Sequence, residues 1–235
     1  MINYIGLEEA KSTNTYLLEH ASSLPDRTVV YTWRQTAGRG QKGNSWESEP
    51  GMNLAFSLLL KQPPVEVRKQ FCISEAVSVA ICDFLSQFTG DFKVKWPNDI
   101  YWRDRKLCGI LIENRLSGEF VRDSIIGVGL NVNQTQFLSD APNPVSLCQI
   151  TGHEHDREAL LHNVAERFTL DVDAEEYRAL LYRRHGFHAY RDADSDFEAE
   201  LITVEDDGHL LLRDRNDRQR RYAFKEVQFT ITNKQ

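Results

Sequence analysis

The chain has 235 residues, 41% of them hydrophobic and 27% charged, enough for one large globular domain or a medium domain plus a small one. A formal net charge of −7 argues against a general nucleic-acid binder. The N-terminus carries no basic segment ahead of an apolar run, and no apolar stretch is long enough to span a bilayer, so neither a secretory signal nor a transmembrane helix is expected.

A short strand over residues 2–5 leads to Ser12-Thr13-Asn14, side chains that cap a helix running through Tyr16, Leu17 and Leu18. Residues 28–35, rich in Val, Thr, Tyr and Trp, read as a strand. Residues 52–60 alternate and place Leu54, Phe56, Leu58 and Leu60 on one face. After Pro63-Pro64, a long amphipathic helix carries Ile73, Val77, Ala80, Ile81, Phe84 and Phe88 at helical spacing. Strands follow at 93–96, 106–113 and 121–132. A long irregular connection then starts near Gln134, around Pro142, Pro144 and Gly152. Asp156 caps a helix that aligns Leu160, Leu161, Val164 and Phe168.

Beyond Gly186 the texture changes. Short strand-like runs at 198–204, 209–213, 221–224 and 227–231 are punctuated by Asp206-Asp207-Gly208 and Asn216-Asp217, which read as hairpin turns. These runs predict a separate small barrel, giving domains over 1–185 and 186–235. The element order does not repeat as βαβ units, so the class is α+β with a mixed sheet packed by helices. Cys72, Cys82, Cys108 and Cys148 form no C-x-x-C and sit in apolar surroundings, which reads as reduced, buried thiols of a cytoplasmic protein.

The chemistry concentrates in a few short stretches. Gly38-Arg39-Gly40-Gln41-Lys42-Gly43 has the G-x-G-x-x-G spacing, but Asn44-Ser45-Trp46 and Pro50-Gly51 follow it with turn chemistry rather than a helix. A dinucleotide fold needs that helix. The stretch is instead a loop whose glycines let backbone approach a ligand, whose Arg39 and Lys42 suit an anion, and whose Trp46 suits a base or a packing role. In Ile126-Gly127-Val128-Gly129-Leu130-Asn131-Val132, pleating puts the apolar residues on one face. Gly127, Gly129 and Asn131 lie on the other, where either a flat ligand or a closely packed helix fits. In Lys93-Val94-Lys95-Trp96-Pro97-Asn98-Asp99, alternation turns Lys95 away from the core, either toward a carboxylate or phosphate or toward solvent. Asn98-Asp99 reads as a turn, with Asp99 either capping it or meeting Mg²⁺. Ser12 and Thr13 cap a helix whose first free N–H groups can also hold a polar ligand head. His153-Glu154-His155 lacks a third metal ligand and reads as solvated loop. No G-x-S-x-G elbow, Walker A sequence or Cys–His catalytic signature is present.

Taken together and in order, Ser12-Thr13-Asn14, Gln35-Thr36-Ala37-Gly38-Arg39-Gly40, Lys95-Trp96-Pro97-Asn98-Asp99, Lys106-Leu107-Cys108-Gly109-Ile110-Leu111 and Gly127-Val128-Gly129-Leu130-Asn131 resemble the biotin protein ligases. The match runs to about residue 170, and the C-terminal strands look like that family's SH3-like domain. The resemblance implies a catalytic fold akin to class II aminoacyl-tRNA synthetases. It also implies ATP-dependent attachment of biotin, through biotinyl-5′-AMP, to a lysine of a biotin carboxyl carrier domain, with Mg²⁺ accompanying ATP. It assigns biotin to Ser12, Thr13, Gln35, Gly38, Arg39, Lys95, Gly109, Gly127 and Gly129. ATP and the adenylate fall to Arg39, Gly40, Gln41, Lys42, Trp46 and Asn131, and Arg39 and Lys95 take the catalytic role at the carboxylate and phosphate. No metal ligand is assigned.

Family loops often read G-R-G-R-x-G-R, whereas Gln41 and Asn44 stand here at two of those arginines. Fewer cations imply looser retention of the adenylate. Some relatives carry an N-terminal winged helix. With the first motif already at Ser12, and a net charge of −7, the expectation is a monofunctional ligase without DNA binding. The family includes homodimers, and the sequence leaves that state open. The rival readings are a lipoate ligase or lipoyl transferase, whose R-R-x-x-G-G-G loop is missing, and a non-catalytic biotin-binding module.

Overall fold

The structure, a computed structural model, describes residues 1–139 and 143–231; Pro142 of the expected irregular connection lies outside them. The first unit contains β1 (Asn3–Leu7), α1 (Thr13–His20), β2 (Thr28–Thr32), β3 (Leu54–Lys61), α2 (Phe71–Ser86), β4 (Phe92–Lys95), β5 (Asp99–Trp102), β6 (Arg105–Ser117) and β7 (Phe120–Leu130). Three helices follow, α3 (Leu147–Thr151), α4 (Arg157–Glu166) and α5 (Ala174–Ala179). The chain ends in β8 (Phe187–Arg191), β9 (Asp196–Val204), β10 (Leu210–Asp214), β11 (Gln219–Tyr222) and β12 (Gln228–Phe229).

Seven strands form one sheet in the order β1-β2-β3-β7-β6-β5-β4. Only β1 and β2 pair in parallel, so the sheet is mixed, and the α+β expectation holds. Leu54, Phe56 and Leu58 of β3 join Ile126, Val128 and Leu130 of β7 in a core with Ile73, Val77, Ile81 and Phe84 of α2. On the other face, Leu17 and Ala21 pack with Val30, Leu59 and Ile125. The central strands are therefore covered on both sides near α1, and β3 is buried on both faces over most of its length. Burying the apolar side chains of this sheet and its helices is what holds the layers together, at roughly 25 cal/mol per Å² removed from water.

The last five strands form a second, antiparallel sheet in the order β11-β10-β9-β8-β12. Its outer strands β11 and β12 do not pair with each other among the described residues, so the small C-terminal sheet is open rather than a closed barrel. It docks on the first unit through Trp96, whose indole Nε1 donates to Gly208 O at 2.9 Å.

Three details differ from the sequence expectation. Asp99 belongs to β5, where it pairs with Lys95 across a hairpin, so the turn is Trp96-Pro97-Asn98. Strand β2 ends at Thr32, and Gln35 makes only an isolated bridge with Ala10. The helices α3 and α5 and the strand β8 are too short or too polar to show a period in the sequence.

Candidate active site

A cavity of about 800 Å³ opens above the face of β6 and β7 opposite the main core. It brings together Ser12, Thr13, Gln35, Arg39, Gly40, Gln41, Trp46, Lys95, Gly109, Gly127, Gly129 and Asn131, which lie far apart in the chain. Gly38 is not on its wall; it spaces the loop, its carbonyl accepting from Trp46 N at 2.9 Å, and a Cβ there would meet Gln35 Nε2 at 2.8 Å. The side chain of Lys42 lies outside the described residues.

One end of the cavity is a polar cluster at the start of α1. Ser12 is the N-cap, its Oγ accepting from Thr15 N. Ser12, Thr13 and Asn14 are all buried, so each polar atom needs a partner. Thr13 N donates to Gln35 Oε1 at 3.1 Å, and Ser57 Oγ lies 2.7 Å from Thr13 Oγ1 and 2.6 Å from Asn14 Oδ1. Asn14 Nδ2 donates to Leu111 O and to Glu113 Oε2, at 3.1 and 2.9 Å. Asn14 packs so closely on β7 that a Cβ at Gly127 would approach its Cγ to 2.8 Å. Gly127 thus makes room for a helix side chain.

The middle of the cavity is a shelf. Gly109 and Gly129 face each other across β6 and β7, and the indole of Trp46 lies on them. A Cβ at Gly109 would meet Trp46 Cζ3 at 2.7 Å. Trp46 Nε1 is buried there without a hydrogen-bond partner. Lys106 Nζ stands 5.7 Å from the ring centroid and pairs with Asp99 Oδ2 at 2.7 Å. Asn131 is also buried, and its Nδ2 donates to Val145 O at 3.0 Å.

The far end is cationic and aromatic. Lys95 Nζ sits 5.5 Å from the Tyr101 ring and 5.1 Å from that of Phe229, which comes from the C-terminal sheet. Burial holds its pKa below the ordinary lysine value. Tyr177 OH donates to Pro97 O at 2.7 Å and, with the Trp96 anchor, fixes the turn that follows Lys95. Phe224 lines the cavity, and Lys225 Nζ donates to Gln41 O at 3.4 Å, so the second sheet also touches the glycine-rich loop. Gln41 Nε2 donates to Asn98 Oδ1 at 3.3 Å.

Arg39 and Lys95 line the same cavity but keep different company. The guanidinium of Arg39 forks onto Glu113 and reaches Thr15 Oγ1. Sequence reasoning missed Glu113, Ser57, Tyr101, Phe224 and Phe229 as site residues. Asn14 and Lys106 stood inside quoted motifs without being singled out. Nothing in the spacing of Phe229 or Glu113 signals that the fold brings them to Lys95 and Arg39. Among the described residues no group of three or more His, Cys, Asp or Glu is placed to hold a metal ion. His155 Nε2 is 2.7 Å from Thr151 Oγ1, in keeping with a loop role.

The cavity thus offers hydrogen-bonding groups at one end, an aromatic shelf in the middle and a lysine at the other end. Those features suit an elongated ligand with a polar head, a flat part and an anion. A sequence model of the biotin/lipoate A/B protein ligase family matches residues 6–131, which contain nearly all of these groups. The chain belongs to the biotin/lipoate A/B protein ligase family. Within this family, it is 32% identical over 175 residues to the biotin–[acetyl-CoA-carboxylase] ligase of Paracoccus denitrificans, covering 69% of this chain and 70% of that protein. It is 30% identical over 214 residues to the bifunctional ligase/repressor BirA of Bacillus subtilis, covering 81% of this chain but only 63% of the longer relative. Its fold matches that of the biotin protein ligase from Aquifex aeolicus in complex with biotin and ATP, with a TM-score of 0.79 and 24% identity over 98% of this chain and 100% of that one.

Proposed function

We propose that this member of the biotin/lipoate ligase family is a biotin–protein ligase. It joins biotin to ATP and then passes biotin to a lysine of a biotin carboxyl carrier domain of a biotin-dependent carboxylase. The observation that carries this reading is that one cavity is lined by the Ser12–Thr13–Gln35 cluster, the Gly109–Gly129 shelf and Lys95 together. The names of the relatives from Paracoccus and Aquifex support the choice of biotin and ATP.

In the first step a biotin carboxylate oxygen attacks the α-phosphorus, the bond to the β-phosphate oxygen breaks, and pyrophosphate leaves. In the second, the neutral amine of the carrier lysine attacks the acyl carbon, the bond to the phosphate oxygen breaks, AMP leaves, and the nitrogen gives up one proton to solvent. Ser12, Thr13 and Gln35 hold the ureido ring, and Gly127 and Gly129 make the room beside it that Asn14 and Trp46 fill. Trp46, Gly40, Gln41, Lys42 and Asn131 take the nucleotide. Arg39 and Lys95 supply positive charge where two anions must meet, which lowers the barrier by electrostatic stabilisation. Holding both reactants in one cavity supplies the remaining acceleration, and no protein nucleophile is required.

Mg²⁺ belongs to this reading as the counter-ion of ATP. The donors here fit that role and not a protein cage, because Asp99, the carboxylate nearest Lys95 along the hairpin, already pairs with Lys106. The metal would offset phosphate charge. The division into a catalytic unit over 1–185 and a C-terminal unit over 186–235 is part of the proposal and follows the two sheets. So is cytoplasmic residence, which fits an ATP-using enzyme with four free cysteines. The acidic balance of the chain, −7, fits a ligase that does not bind DNA.

The test is ATP- and Mg²⁺-dependent transfer of biotin to a purified carrier domain, with lipoate and a lipoyl domain in parallel. Transfer of biotin alone supports the proposal. Transfer of lipoate alone moves the chain to the sister activity, and tight biotin binding without transfer makes it a binding module.

A further inference from the structure

Arg39 meets an anion of the protein itself. Its Nη2 lies 2.6 Å from Glu113 Oε1 and its Nη1 3.2 Å from Glu113 Oε2, a two-point fork, and Nη1 also donates to Thr15 Oγ1 at 3.3 Å. Such a fork fixes the plane of the guanidinium as well as its position. Glu113 Oε2 accepts a further bond from Asn14 Nδ2 at 2.9 Å. One carboxylate on β6 therefore ties down the glycine-rich loop through Arg39 and the first turn of α1 through Asn14. The side chains of Arg39 and Glu113 remain 41% and 24% exposed. An isolated pair at that exposure contributes little to stability, about 0–1 kcal/mol. Its consequence is geometric: the fork and the Thr15 bond use three of the five N–H groups of Arg39, which leaves the Nε–H and one Nη2–H of a cavity-lining guanidinium uncommitted by these contacts.

We infer that Glu113 is a positioning residue of the site, holding Arg39 and the glycine-rich loop against Asn14 and Thr15. The inference rests on the biotin-ligase reading and adds to it a residue outside the motifs that carry the resemblance. Glu113 touches no reacting atom and acts through Arg39.

Steady-state transfer kinetics on the full chain test it, with wild type, E113Q, R39Q and the double variant, varying biotin and ATP separately. E113Q raises the KM for biotin about tenfold, the scale of one charge-assisted hydrogen bond, with a smaller change in the KM for ATP. In the R39Q background E113Q adds less than about twofold, because the two residues act as one unit. Trypsin reads the loop without activity: cleavage after Arg39 or Lys42 should be about fivefold faster in E113Q, as expected of a locally loosened segment. Far-UV circular dichroism checks that E113Q folds, and R39Q probes the same tie from the other side if it does not. Wild-type kinetics in E113Q, or single effects that multiply fully in the double variant, overturn the inference while leaving the ligase reading intact. No biotin transfer by wild type overturns both.

Discussion

The indole of Trp46 rests on Gly129, so closely that a Cβ at residue 129 would come to 2.5 Å from Nε1 and 2.9 Å from Cζ2. Gly109, directly opposite on β6, carries the other side of the ring. Gly129 has no left-handed backbone requirement, so its small size is what the fold uses here. Gly129→Ala should lift the indole from the shelf and drag the loop with it. Overpacking of this kind costs about 1–3 kcal/mol. The expected result is at least a tenfold loss of biotin- and ATP-dependent pyrophosphate release, an effect of about 1.4 kcal/mol. The Trp46 emission, isolated by difference against Trp46→Phe, should shift to longer wavelength. Unchanged rate and unchanged emission in Gly129→Ala would show that the ring does not need the shelf.

Lys95→Ala should abolish adenylate formation, measured as pyrophosphate release, while leaving the fold intact. Full activity in that variant would remove Lys95 from the mechanism. The pH dependence follows from its surroundings. Burial is the largest influence and pulls the pKa below 10.5; Asp99 opposes it, while Lys106 and Arg183 push the same way. The folded state therefore gives up this proton at a lower pH than the unfolded chain does. The burial penalty on stability is present below the folded pKa and is relieved as pH rises through the window from there to 10.5. Activity moves the other way, because the cation is lost over the same window. The alkaline limb of the adenylation rate should start to fall below pH 10.5, and Lys95→Arg, at its residual rate, should lose that limb. A limb shared by both proteins would assign the titration to another group.

The ring of Phe229, 5.1 Å from Lys95 Nζ, makes the C-terminal sheet part of the site. Phe229 is itself held edge-on against Tyr190 at 5.0 Å, so its ring is not free to follow Lys95 elsewhere. Phe229→Leu keeps the apolar bulk and removes the quadrupole. It should slow adenylation about threefold, the scale of a partly exposed cation–π contact, with biotin binding unchanged. Phe229→Tyr should restore the rate. Equal rates in the leucine and tyrosine variants would mean that bulk, not the ring, is what Lys95 meets.

The parts of this fold that were legible in the sequence are those where one short stretch carries its own period or cap. Ser12 before α1, Asp156 before α4 and the apolar stripe of α2 are read directly because capping and 3.6-residue spacing are local. The bare face of β7 was legible too, since pleating alone separates Gly127 and Gly129 from Ile126 and Val128. What covers that face was not. Asn14 lies over Gly127, and Trp46 over Gly129, because of strand order and loop path, which no local pattern encodes. Glu113 escaped notice for the same reason: on a strand it reads as one more exposed acid, and only the sheet brings it under Arg39. Asp99 looked like a turn residue because Pro97-Asn98 has turn chemistry, yet the antiparallel register with Lys95 draws it into β5.

The loop composition gives a last prediction. Gln41 lines the cavity and is held weakly, by a 3.3 Å bond to Asn98 Oδ1 and by Lys225 at its carbonyl. Both contacts stand at the mouth of the loop, between the turn after Lys95 and the C-terminal sheet. On the proposed reading this loop closes over the adenylate, and a neutral amide there adds no positive charge. Gln41→Arg should add one charge-assisted contact and slow the release of biotinyl-5′-AMP by about tenfold. The measurement is the dissociation rate of preformed adenylate, chased with unlabelled ligand, at low and high salt. The slowing should shrink as salt rises, because this side chain stays within reach of solvent. An unchanged dissociation rate in Gln41→Arg at low salt would mean that the loop retains the intermediate by shape, through Trp46 and its glycine shelf, and not by charge.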